Sequence, residues 1–172
     1  QRFIHYAHAS GIRVYALAGN SDWGHNQQWV ANNVVRHIAQ YNAYTAFTST
    51  HLACDFDGVM LDVEYWSVAG YAASVEAPGL CDLMKSIRGV LNLPVGCFVT
   101  QWLAVPGAGQ LVTYGGVSQL EGLHIMDAAD HVVVACYSNN NGGVDGSTQS
   151  AMLQPWIDHA SGSNSGIGLW CC

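Results

Sequence analysis

Apolar residues are grouped in two alternating ways along the chain. Short, nearly continuous apolar runs occur at 12–18, 56–64, 93–100, 131–137 and 167–171. Runs of this length read as strands of a parallel sheet covered on both faces. Between them the apolar residues fall at helical spacing. Val30, Val34, Ile38 and Tyr41 predict a helix over roughly 28–47. Leu80, Leu83, Met84, Ile87 and Leu91 predict a second, with Pro78-Gly79 near its start. Leu120, Leu123 and Asp127 lie on a short helix, and Leu153, Trp156, Ile157 and Ala160 on a last one. Residues 1–9 read as the end of a helix closed by Ser10-Gly11, and 139–147 as a polar loop. Strand and helix thus alternate without a tight hairpin signal, which calls for a parallel sheet with crossover helices.

Two α/β architectures meet that pattern, a doubly wound open sheet and a (β/α)8 barrel. The open sheet usually carries a glycine-rich phosphate loop after its first strand. Gly19-Asn-Ser-Asp-Trp23 is not one. Tryptophan favours the barrel: Trp23, Trp66, Trp102 and Trp170 stand at or just past the carboxyl ends of predicted strands. In a barrel those ends converge on the face that holds active sites. Trp29 and Trp156 lie on helix stripes and read as core. A whole barrel has eight strands in ~250 residues. Five units in 172 residues therefore predict one incomplete barrel domain over 1–172, a fragment of a larger one. Its open sheet edges would favour self-association.

Composition narrows the function. Half of the residues are apolar and 10% are charged, with a net charge of −7. No basic stripe exists to neutralise phosphates, which excludes nucleic acid as a partner. No apolar run approaches the ~18–20 residues that cross a bilayer. The chain begins at Gln1 without a signal-peptide pattern, which reads as processing or a fragment. Six cysteines, at 54, 81, 97, 136, 171 and 172, permit three disulfides but show no metal spacing. Cys97 and Cys136, inside predicted strands, read as core thiols. With a single lysine, these features fit an oxidising, extracellular setting. His5 and His8 are one helical turn apart but lack a third ligand, so no metal and no cofactor is expected.

The chemistry concentrates at Phe56-Asp-Gly-Val-Met-Leu-Asp-Val-Glu-Tyr-Trp66. Asp62 interrupts an apolar run, and a charge in a core needs a reason. Glu64 is two residues on, so both carboxylates share a face with Cα atoms ~6.5 Å apart. Tyr65 and Trp66 follow as an aromatic surface. Paired carboxylates beside aromatics at a strand end suggest work on a sugar. Mutual repulsion and burial would raise at least one of the two pKa values, as a general acid requires.

This segment resembles the fourth-strand signature of glycoside hydrolase family 18, the chitinase-type hydrolases, which reads Phe-Asp-Gly-x-Asp-x-Asp-x-Glu. Phe56, Asp57, Gly58, Asp62 and Glu64 match, and Met60 stands where the family has aspartate. Ala135-Cys-Tyr137-Ser138 is similar to the family's Met-x-Tyr-Asp, with Tyr137 matching and Ser138 departing. The resemblance numbers the five strands three to seven. It implies that Glu64 protonates the glycosidic oxygen and that Asp62 orients a substrate acetamide, which attacks the anomeric carbon. It implies further that Tyr137 hydrogen-bonds that acetamide. Trp23, Tyr65, Trp66, Trp102 and Trp170 would hold the sugar.

Met60 cannot share a proton with Asp62, which predicts slower catalysis, another substrate, or none. A degraded hydrolase barrel that binds carbohydrate or assembles is the alternative. Muramidase-like hydrolysis would need further acids, and Asp127 and Asp130 are poorly placed for it. A third reading makes Asp62 and Glu64 buried core residues held by an arginine such as Arg13.

Overall fold

The computed structural model describes residues 2–25, 27–48, 54–136, 146–162 and 168–171. Six α-helices and seven strands alternate along them, in a mixed α/β arrangement. Helix α1 (Arg2–Ala9) ends at Gly11, whose φ of 73° only glycine adopts without cost. The Gly11 and Ile12 amides donate back to His8 and Ala7 carbonyls, both at 2.9 Å, which closes the helix.

Strands β1 (Tyr15–Ala18), β2 (Gly58–Leu61), β3 (Val95–Thr100), β6 (His131–Ala135) and β7 (Gly168–Cys171) form one sheet in that order. Every pairing in it is parallel. The helices between are α2 (Gln27–Val30) continuing through a π-helical turn (Ala31–Val35) into α3 (Arg36–Thr48), then α4 (Ala73–Leu91), α5 (Glu121–Ala128) and α6 (Gly146–Gly162). The parallel sheet with crossover helices expected from the pattern is present. Among the described residues no helix is long and apolar enough to cross a membrane.

Two expectations about the strands are corrected. The strand at 56–64 is shorter than its apolar run: β2 is confined to Gly58–Leu61, with one further ladder bond from the Asp62 amide. Among the described residues the sheet is also covered on one face only. Val59, Leu61, Val95, Cys97, Val99, Val132 and Val134 are wholly buried under the helices. On the opposite face Met60, Phe98 and Val133 are half-buried, and Leu17 is 71% exposed. Gly96 leaves room for the Met60 thioether there: a Cβ on it would sit 2.6 Å from Met60 Cε.

A hairpin that the sequence reading passed over joins β4 (Leu111–Tyr114) to β5 (Val117–Leu120). Its signal was the Gly115-Gly116 pair, with φ of 59° and 82°, as a two-residue turn of type I′ demands. A Cβ at Gly116 would meet nothing within 4 Å. Gly116→Ala is therefore expected to cost about 1–2 kcal/mol, all of it conformational. Urea unfolding checks this, and an unchanged midpoint would show that the turn relaxes.

Cys54, Cys81 and Cys97 are free thiols, each buried and outside any disulfide. Burial pushes the Cys81 thiol up to about 12 and raises Cys97 as well, so both behave as apolar core.

Candidate functional site

Because the five strands run parallel, their carboxyl ends lie along one edge of the sheet. Three carry the chemistry. After β1 come Gly19, Asn20, Asp22 and Trp23. After β2 come Asp62, Glu64, Tyr65 and Trp66. After β3 come Gln101 and Trp102.

Asp62 continues β2 by one step, its amide donating to Ala18 O at 3.0 Å. Its Oδ1 is buried without a hydrogen-bond partner among the described residues. Gln101 Oε1, at the end of the adjacent β3, is in the same condition. Buried polar groups are nearly always paired, and an exception calls for an explanation. Val63 is wholly buried while Glu64 is exposed, which is the alternation expected of carboxylates at 62 and 64 on one face. Glu64 leads into a 3-10 turn over Tyr65–Ser67, and its carbonyl accepts from the Ser67 amide (2.9 Å) and hydroxyl (2.7 Å). The backbone is fixed while the carboxyl reaches solvent.

The aromatic residues divide differently from expectation. Trp66 and Trp102 are half-buried and meet edge to face, ring centres 6.4 Å apart, as one aromatic corner beside Glu64. Tyr65 has no exposed surface, so it is not part of a sugar-contacting surface. Its ring lies on the buried side with Leu61 and Val63, in the same alternation that turns Asp62 and Glu64 outward. Its hydroxyl donates to Glu121 Oε2 at 2.8 Å. Trp23 is also buried, 6% exposed, whereas Trp29, expected in the core, is 55% exposed. Trp156 is core, its indole N–H donating to Gln101 O at 2.8 Å. Trp170 lies on β7 opposite Val133, with its side chain outside the described residues. Tyr137 and Ser138 also fall outside them.

Glu121, at the start of α5, escaped the sequence reading because a single carboxylate beside Leu120 and Leu123 at the start of a short helix gives no sign of burial. It is fully buried and accepts from Tyr65 and, at 3.0 Å, from the Gln110 amide. It thus ties the turn behind Glu64 to the loop behind Trp102. Burial raises its pKa above 4.5, outweighing those two hydrogen bonds. The folded state then holds the proton more tightly than the unfolded chain does. The corresponding stability is fully present below pH 4.5 and is lost as pH rises through the folded value. Glu121→Gln is expected to flatten that slope, as urea unfolding across a pH series would reveal. An unchanged slope would assign it to another group.

Two further carboxylates serve the opposite end. Asp57 accepts from His8 and the Val14 amide, both at 2.7 Å, and ties α1 to β1. Asp130 binds Arg88 at 2.8 Å and the Val95 amide at 2.8 Å. Arg13 lines a cavity of about 390 Å3 with Gly11, Tyr15, Met60, His131 and Val133. That cavity lies toward the amino ends of β1 and β6, so Arg13 is not the partner of the carboxylates. Tyr15 and His131 share a 2.9 Å hydrogen bond there. Among the described residues no group of three side chains is gathered to hold a metal.

A parallel α/β sheet with its carboxylates and tryptophans at one strand-end edge is the class of structure these observations define. A GH18 chitinase from Pseudoalteromonas aurantia has a related fold, with a TM-score of 0.57 over 99% of this chain and 12% sequence identity. The chain spans 58% of that enzyme's length. No family model matches the sequence, and no curated protein matches it.

Proposed function

We propose that this chain is the central part of a chitinase-like barrel, strands three to seven of eight, and acts on an N-acetylated polysaccharide or oligosaccharide. The observation that carries the reading is the unpartnered, buried Oδ1 of Asp62 two residues before the exposed Glu64. An acceptor kept dry and unsatisfied is suited to a donor that arrives with substrate. The N–H of an acetamide is such a donor.

In this mechanism Glu64 protonates the glycosidic oxygen and the bond to the leaving sugar breaks. The acetamide oxygen attacks the anomeric carbon, and Asp62 accepts the acetamide N–H and balances the charge that develops on the ring. Trp66 and Trp102 offer apolar faces to the sugar, and Gln101 adds a second acceptor nearby. The related fold supports the barrel reading at the level of architecture.

Met60 favours a second reading, an inactive barrel of this type that binds carbohydrate. Its side chain fills the space over Gly96 where an acid would relay a proton to Asp62. Two measurements on chitin-type oligosaccharides separate the readings: release of reducing ends and calorimetric binding. Cleavage supports the hydrolase, binding alone supports the second reading, and neither would overturn both.

A further inference from the structure

We infer that the open face of the sheet holds a second ligand site, at the end of the strands away from the carboxylates, which takes a small carboxylic acid whose apolar body is the size of an aromatic ring. The inference goes beyond the carbohydrate reading and does not rest on it. The site is the cavity of about 390 Å3 lined by Arg13, Tyr15, Met60, His131 and Val133. Sites enclosing a drug-sized ligand run to roughly 300–1,000 Å3, so this one has room for a single ring and its carboxylate.

Charge selects an anion. Arg13 is exposed and pairs with no carboxylate among the described residues. No acidic side chain lines the cavity among them either. A guanidinium presents parallel N–H donors that match a carboxylate. The tautomer of His131 supplies a second donor. Its Nε2 and the Tyr15 hydroxyl share a 2.9 Å hydrogen bond, while its Nδ1 is buried without a partner among the described residues. A neutral imidazole carries its proton on one nitrogen only. On Nδ1 that proton would be a buried N–H without an acceptor, which is rarer than a bare acceptor. The proton therefore sits on Nε2 and is donated to the Tyr15 oxygen. The Tyr15 hydroxyl keeps its own hydrogen for a ligand.

The site is also preformed. Tyr15 and His131 stand on β1 and β6, with β2 and β3 between them in the sheet. Tyr15 crosses this gap over Gly58, where a Cβ would lie 2.2 Å from Tyr15 Cε1. Its ring meets the His131 ring edge to face at 5.7 Å. The hydroxyl is thus held in place before a ligand arrives. Met60 and Val133 form the apolar wall. A thioether makes favourable contacts with an aromatic ring, which fits a ring as the body of the acid.

The test is an NMR titration of the full chain with benzoate, with benzyl alcohol and inorganic phosphate for comparison. Benzoate should bind saturably and move the Met60 methyl resonance, and benzyl alcohol should bind at least tenfold more weakly. Arg13→Gln should weaken benzoate by about tenfold or more, as expected for a lost hydrogen bond to a charged group. Tyr15→Phe should weaken it by about fivefold. Arg13 is exposed, so its exchange should leave the fold intact and decides the point even if Tyr15→Phe unfolds. Absence of saturable benzoate binding, or benzoate affinity unchanged in Arg13→Gln, overturns the site. Phosphate that binds as tightly as benzoate with the same dependence on Arg13 overturns the apolar body and leaves a bare anion site. Unchanged affinity in a folded Tyr15→Phe overturns the part given to the hydroxyl.

Discussion

Replacing Glu64 by glutamine is expected to lower cleavage of chitin-type oligosaccharides by roughly 10²–10⁴-fold, the usual range for a lost general acid. Glutamine keeps the shape of the side chain and cannot give up a proton. Glu64 is exposed, so the exchange should leave stability within about 0.5 kcal/mol. The Ser67 contacts involve only the Glu64 carbonyl and survive the exchange. Reducing-end release should fall while calorimetric affinity stays near the wild-type value. A fully active variant would place the acid elsewhere and sink the assignment of Glu64. Equal inactivity of wild type and variant, with binding retained, would leave the Met60 reading standing.

Gly19→Ala is expected to cost about 3 kcal/mol, the upper end of what overpacking usually costs. A Cβ at this position would lie 2.0 Å from the Asp62 carbonyl oxygen and 2.7 Å from its carbon. These are backbone atoms and cannot swing aside as a side chain would. The methyl must pry β1 from β2 where the Asp62 amide bonds Ala18 O, so sugar affinity should fall along with stability. Gly89→Ala is the control: on α4 its Cβ would meet nothing within 4 Å. It should gain about 0.5–1 kcal/mol, the helical difference between glycine and alanine. Urea unfolding of the pair decides the point, and a Gly19→Ala midpoint at or above wild type would refute the close approach.

The strands at 12–18, 56–64, 93–100, 131–137 and 167–171 were legible because uniformly apolar runs between helical patterns have few other uses. The hairpin was equally legible in Gly115-Gly116 but was passed over, since a reading built on crossover helices left no place for it. Trp29 was misassigned for another reason. It stands next to the buried stripe of Val30, Val35 and Ile38 and not on it. Tyr65 was misread because the alternation that turns Asp62 and Glu64 outward puts it on the buried face with Leu61 and Val63. Glu121 carried no local sign at all. Its burial is created by the Tyr65 turn and the Gln110 loop, both distant in sequence.

The sequence by itself determined which segments become strand or helix, and that Asp62 and Glu64 share a face at a strand end. Side-chain direction along one element is a local property of backbone geometry. Only the tertiary structure decided which groups near that end are left dry, which tryptophan meets solvent, and what holds Glu64 from behind. Asp62 Oδ1, Trp29 and Glu121 owe their condition to neighbours from other strands and helices, and burial is a property of the assembled whole.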